Sequence, residues 1–212
     1  MKSSILLVAL ALAACSPGDG RPAGNEESRT YQLQGFDSVS AEAGIELILT
    51  QGPFAVDAKS HNGDLSRLKV EVRGTELDVS SQGMLSFGRS PTYTVTVSAP
   101  KWTAIKATAG VDVKGENLRA EDLTVEASAG VSMNLSGTCR ALDVQASAGA
   151  AIDASDLKCA TADVQASAGA KIDVSATEKV SGSASAGAVI DISGNPPTID
   201  VSNDIASVVN RN

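Results

Sequence analysis

The sequence predicts an all-β chain folded as a parallel, right-handed β-helix. This would be a β-solenoid with coils of about 20 residues and a more irregular, aromatic-rich N-terminal part. Three observations point there. First, a motif recurs: Ala-Thr-Ala-Gly110, Ala-Ser-Ala-Gly130, Ala-Ser-Ala-Gly149, Ala-Ser-Ala-Gly169 and Ala-Ser-Ala-Gly187, at spacings of 20, 19, 20 and 18. Self-similarity at such a period marks a stacked-repeat architecture. Second, each repeat shows apolar–polar–apolar alternation, the period of a strand with one face buried. Third, a unit this short with no helical pattern cannot bury its own face. Stacked in register, such units form parallel sheets around one continuous core, and parallel crossovers are right-handed.

The chain opens with Lys2 and an unbroken apolar run from Ile5 to Leu12. That run is too short for a bilayer, which needs roughly 20 residues, and reads as a secretory signal. Leu12-Ala13-Ala14-Cys15 resembles a bacterial lipobox, so residues 1–14 are expected to be a lipoprotein signal peptide and Cys15 the lipidated residue. Several acyl chains on one residue anchor far more firmly than one chain. Ser16 after the cysteine favours the outer membrane, by resemblance to enterobacterial sorting. Residues 15–30 hold two Pro and three Gly between Ser16 and Thr30 and no large apolar residue there, and are expected to form a flexible tether.

The domain is expected over 31–202, with a C-terminal tail at 203–212. All six aromatics lie from Tyr31 to Trp102. Ile45, Leu47 and Leu49 share one strand face; Val70-Glu71-Val72-Arg73, Leu77-Asp78-Val79 and Tyr93-Thr94-Val95-Thr96-Val97 read the same way. A helical turn is expected between His61 and Leu68. Ala41-Glu42-Ala43-Gly44 looks like an early copy of the motif, followed by a long insertion.

The repeats proper span 105–201. Three residues after each glycine stand Val113, Met133, Ile152, Ile172 and Ile190; at the next position, from the second repeat on, stand Asn134, Asp153, Asp173 and Asp191. The glycine marks a corner of positive φ or close backbone approach. Thr108, Ser128, Ser147, Ser167 and Ser185 form a hydroxyl column beside it, expected to satisfy itself by rung-to-rung hydrogen bonds. Cys139 and Cys159 stand one repeat apart, each four residues before an equivalent aspartate, Asp143 and Asp163. In-register rungs about 4.8 Å apart fall inside the Cα range of a disulfide. An exported protein meets an oxidising compartment, so a bridge is expected, with two free stacked thiols as the alternative.

Gly35-Phe36-Asp37-Ser38-Val39, Gly44-Ile45-Glu46-Leu47, Thr50-Gln51-Gly52, Leu68-Lys69-Val70-Glu71-Val72, Val97-Ser98-Ala99-Pro100 and the Ala-Gly repeats, in that order, resemble the head GIN domain family. This is a bacterial envelope family labelled as an autotransporter adhesin head. The resemblance covers roughly residues 30–202. It implies a right-handed β-helix-like fold and brings no catalytic residues to carry over.

Composition excludes several functions. The chain carries 17 Lys+Arg against 25 Asp+Glu, a formal charge of −8, which disfavours nucleic acid and anionic membrane surfaces. One histidine, His61, removes most His-based catalysis and His-rich metal sites. The column Asp153, Asp173, Asp191 is the one metal candidate. Stacked carboxylates repel and Ca²⁺ would relieve them, yet the repeats lack the signature of calcium-binding β-rolls. A solvated structural column is the favoured reading. Met84, Leu85 and Phe87, in a Gly-flanked loop, are either a partner-binding tip or a cap on the solenoid end. The expected function is a non-catalytic, lipid-anchored envelope protein that presents a solenoid surface for binding or scaffolding, adhesin-like. It would need no cofactor, and its partner would be an envelope protein or glycan. A polysaccharide-active β-helix enzyme and a periplasmic structural or signalling accessory are the alternatives.

Overall fold

The computed structural model describes residues 26–60, 64–82 and 93–211. The N-terminal half supplies β1 (Glu27–Tyr31), β2 (Ser38–Glu42), β3 (Ile45–Gln51), β4 (Ala55–Ser60), β5 (Leu68–Arg73), β6 (Glu76–Ser81), β7 (Tyr93–Ala99) and β8 (Ala104–Thr108). The repeats supply β9 (Asp112–Ser128), β10 (Ser132–Ala146), β11 (Ala151–Ala166), β12 (Lys171–Ala184), β13 (Val189–Ser193), β14 (Thr198–Asn203) and β15 (Val208–Arg211). A 3₁₀ turn, Leu65–Arg67, is capped by Asp64, within the span where a helical turn is expected. Every pairing from β8 onward is parallel, as expected of a solenoid.

Each repeat coil holds three paired runs. Between β10 and β11 they are 132–134 on 151–153, 136–139 on 156–159 and 141–146 on 161–166. Val113, Met133, Ile152, Ile172 and Ile190 stack in register and are buried. Leu123, Leu142, Ala162 and Val180 form a second buried column. Each Ile gains roughly 1.5–3 kcal/mol by burial.

The corners explain the repeat motif. At Ala148-Gly149 both residues have positive φ, 51° and 72°, and Ala150 N–H donates to Ser147 O at 3.1 Å. This is the backbone of a type I′ turn, usually signalled by Asn-Gly. The sequence lacks Asn-Gly in its repeats, and the turn is made with Ala-Gly instead. The same conformation recurs at Ala43-Gly44, Ala109-Gly110, Ala129-Gly130, Ala168-Gly169 and Ala186-Gly187. Each corner also bonds to the next rung: Gly149 N–H donates to Ala168 O at 3.1 Å, and Gly169 N–H to Ala186 O at 3.0 Å.

The N-terminal half is stacked out of chain order. β2 and β3, joined by the Ala43-Gly44 corner, form one coil. It lies between the β8–β9 coil on one side and β6 and β7 on the other. The long insertion after Gly44 therefore returns as an outer coil. It is closed by antiparallel pairs, β4 on β7, β1 on β4 and β5 on β6. Aromatic side chains pack at this end: the Phe36 ring lies tilted 5.0 Å from Phe54 and 6.2 Å from Trp102, and Trp102 Nε1–H donates to Thr50 O at 3.0 Å.

The domain is wider at both ends than the sequence predicts. β1 begins at Glu27, inside the expected tether, and β15 pairs with β13 inside the expected tail. Both strands lie at the sheet edge and are largely exposed, so neither carries the apolar alternation that a sequence reading needs. The last corner abandons Ala-Gly for Asp204-Ile205-Ala206-Ser207. The Asp204 carboxylate accepts from Ala186 N–H at 2.9 Å and Ala206 N–H at 3.1 Å, and the Ser207 hydroxyl donates to Ala184 O at 2.9 Å. The bond from Ala186 foremost, with that from Ser207, holds the Asp204 carboxyl below the usual range.

Two glycines separate two constraints. At Gly169 an added Cβ would meet open space, but φ is 73°, so Gly169→Ala is expected to cost about 1–2 kcal/mol from conformation alone. Gly182 interrupts the valine column Val125, Val144, Val164, and a Cβ there would overlap the Val164 carbonyl. Gly182→Ala is expected to lose more than twice as much. Urea unfolding of the two variants side by side measures the ratio.

Candidate functional site

The outward positions of the coil make separate polar faces. On the first, Lys114, Asn134, Asp153, Asp173, Asp191 and Asn210 stack in register. The carboxylates are satisfied within the chain. Lys171 Nζ lies 2.6 Å from Asp173 Oδ2 and 3.2 Å from Asp191 Oδ2. Asn210 donates to Asp191 Oδ1 at 2.7 Å, and the Ser155 hydroxyl donates to Asp153 Oδ1 at 2.6 Å. Burial pushes the Asp173 carboxyl up, against the pull of Lys171; the Asn210 hydrogen bond holds Asp191 down, and the bond to Asp173 raises Lys171. Lys171 stands where a cation would, two residues before Asp173 on the same face. That i, i+2 placement was the available sequence signal. Among the described residues no three His, Cys, Asp or Glu side chains converge to hold a metal ion.

A second face borders the Ala-Gly corners. It is a groove of about 450 Å³ across five rungs, lined by the outward column Lys106, Glu126, Gln145, Gln165, Ser183 and by the hydroxyl column. The expected rung-to-rung bonds between Thr108, Ser128, Ser147, Ser167 and Ser185 are not formed. Among the described residues their hydroxyls bond to no protein atom, and all five residues line the groove. A third face stacks Thr124, Asp143, Asp163 and Ser181, where Ser181 donates to Asp163 at 2.9 Å and Asp143 Oδ1 is buried without a partner among the described residues.

Cys139 and Cys159 form a disulfide, in register on β10 and β11 with Cα atoms 4.5 Å apart. It ties the middle runs of adjacent coils together, beside Arg140, which pairs with Glu121 and Asp122. Cys15, His61, Met84, Leu85 and Phe87 lie outside the described residues. No helix among the described residues is long and apolar enough to cross a membrane.

Closing a loop of 20 residues is worth roughly 3 kcal/mol on the chain-entropy argument. Reduction, or the Cys139→Ala/Cys159→Ala pair, should lower the urea midpoint accordingly without loss of the β-rich circular dichroism spectrum. Lys171→Met should cost about 1 kcal/mol near pH 7, the scale of a part-exposed ion pair. It also removes the cation that Asp173 and Asp191 share, which raises their folded pKa values relative to wild type. A carboxyl raised on folding destabilises above that pKa, so the deficit of the variant against wild type should shrink as pH falls from 7 to about 4. Melting curves across that range check the sign.

The family model described as "Putative auto-transporter adhesin, head GIN domain" matches residues 35–196. No curated protein matches the chain. Among solved structures, a "putative adhesin" from Bacteroides fragilis aligns with TM-score 0.69 at 17% identity, covering 90% of this chain and 99% of that one. Another, from Parabacteroides merdae, aligns with TM-score 0.51 at 12% identity over 89% and 98% of the two chains. At these identities the likeness is one of fold. The ordered motifs, the stacked Ala-Gly corners and the family match over most of its length place this chain in the head GIN domain family.

Proposed function

We propose that this chain is a non-catalytic, adhesin-like envelope protein, anchored by lipid at Cys15, whose solenoid presents a binding surface away from the membrane. One observation carries the reading: β1, the strand nearest Cys15 in sequence, and the last rung of the stack lie at opposite edges. The hydrogen-bonded path runs β1-β4-β7-β3-β9-β10-β11-β12-β13-β15. Nine steps of about 4.8 Å put β15 roughly 43 Å from β1. Cys15 precedes β1 by twelve residues, so an anchor there would attach at the closed, antiparallel end and leave the repeats projecting. The family description supports the adhesin-like part of this reading.

Intact mass of the membrane-extracted protein should correspond to residues 15–212 plus acyl chains, and Cys15→Ser should stop processing. An unmodified N-terminus at another residue overturns the anchor. Protease shaving of intact cells then separates a surface adhesin, which is cleaved, from a periplasmic accessory, which is protected. Release of oligosaccharides from envelope polysaccharides by the purified protein would favour the enzymatic alternative.

A further inference from the structure

We propose that the groove beside the Ala-Gly corners binds a neutral, linear, extended glycan laid along the solenoid axis. This rests on the reading that the solenoid presents a binding surface, and names the surface and the ligand class.

The polar faces differ in how their hydrogen-bonding capacity is used. On the aspartate face Lys171, Ser155 and Asn210 consume it within the chain. In the groove the Gln145 and Gln165 amides, stacked in register, make no side-chain hydrogen bond to the described residues, and the serine hydroxyls beside them make none. A concave run of unused amides and hydroxyls can both donate and accept, which is what sugar hydroxyls require.

Charge selects among ligands. Among the described residues, the ionisable side chains lining the groove are Lys106 and Glu126, 4.0 Å apart, and Lys106 is 3.8 Å from Glu76 as well. The groove is therefore close to neutral in a chain of formal charge −8, and a polyanion is repelled. An extended peptide is the poorer fit. Strand addition needs free backbone N–H and C=O groups, and the interior rungs have theirs paired on both sides. The repetition sets the size of the ligand. Equivalent groups recur every rung, about 4.8 Å, so a chain of several sugar rings meets several rungs while a disaccharide meets one or two. With no aromatic among the described residues of the groove lining, each ring contributes little and affinity must accumulate along the chain.

The test is calorimetric titration of the full-length protein in detergent with cellohexaose and chitohexaose as neutral probes, cellobiose as the short control and hexagalacturonate as the anionic one. A neutral hexasaccharide is expected to bind with a Kd of about 1 mM or tighter, and cellobiose at least about tenfold more weakly. Gln145→Leu/Gln165→Leu, and separately Ser147→Val/Ser167→Val, should each weaken binding at least about tenfold, with melting temperatures near wild type. Asp153→Asn, on the other face, should change nothing. No binding of either neutral hexasaccharide at millimolar concentration overturns the proposal, as do unchanged affinity in a folded groove variant or equal affinity for hexagalacturonate. Should glycan binding fail while acylation at Cys15 and protease sensitivity on cells hold, the surface-presentation reading stands and the groove assignment alone falls.

Discussion

Gly110 N–H reaches the carbonyl of Ala129, Gly130 that of Ala148, Gly149 that of Ala168 and Gly169 that of Ala186. This ladder of corner peptides fixes the register on which the other features depend. A turn at the end of a strand ordinarily leaves backbone groups for water to satisfy. Here the corner spends them on the next rung, and it can do so only if every corner adopts the same left-handed pair of conformations. Ala in that region costs about 1–2 kcal/mol per residue, and six stacked corners accept it. The cost is offset by in-register packing: once the corners align, Val113, Met133, Ile152, Ile172 and Ile190 fall into one buried column. Cys139 and Cys159 reach bonding distance by the same alignment.

Identical stacking brings a difficulty, because identical charges also align. Asp153, Asp173 and Asp191 meet it with short-range partners within the chain. Lys171 bridges two rungs, while Ser155 and Asn210 take the carboxylates at the ends. The groove on the neighbouring face avoids the difficulty by carrying amides and hydroxyls, which stack without repulsion. The fold thus holds one self-satisfied face and one whose side chains are left for solvent or a ligand.

The two ends of the stack are finished by different means. At the N-terminal end, antiparallel β1, β4 and β5 close the sheet edge, and Phe36, Phe54 and Trp102 pack together. At the C-terminal end the Asp204 and Ser207 side chains close the last corner and tie it back to Ala186 and Ala184 of the preceding rung. Ile205 remains fully exposed there, and Val208 about half. Solenoids need such terminal devices because each coil is stable only against a neighbour.

The sequence by itself determined the repeat period, the parallel stack and the inward columns, since all three follow from spacing and alternation along the chain. It determined the neighbourhood of Cys139 and Cys159 too, because one repeat apart in sequence means one rung apart in space. Composition alone disfavoured nucleic acid and His-based catalysis. Tertiary structure decided what depends on chain order and on side-chain direction. The β2–β3 coil lies between coils that follow it in sequence, and no local pattern records which side of a coil the returning chain will take. β1 and β15 join the sheet although neither shows strand alternation, because backbone pairing at an edge needs no buried face. Lys171 became the counter-ion of the aspartate column, and the serines line a groove instead of bonding along the stack. Both outcomes follow from rotamers and outward geometry that residue spacing does not encode.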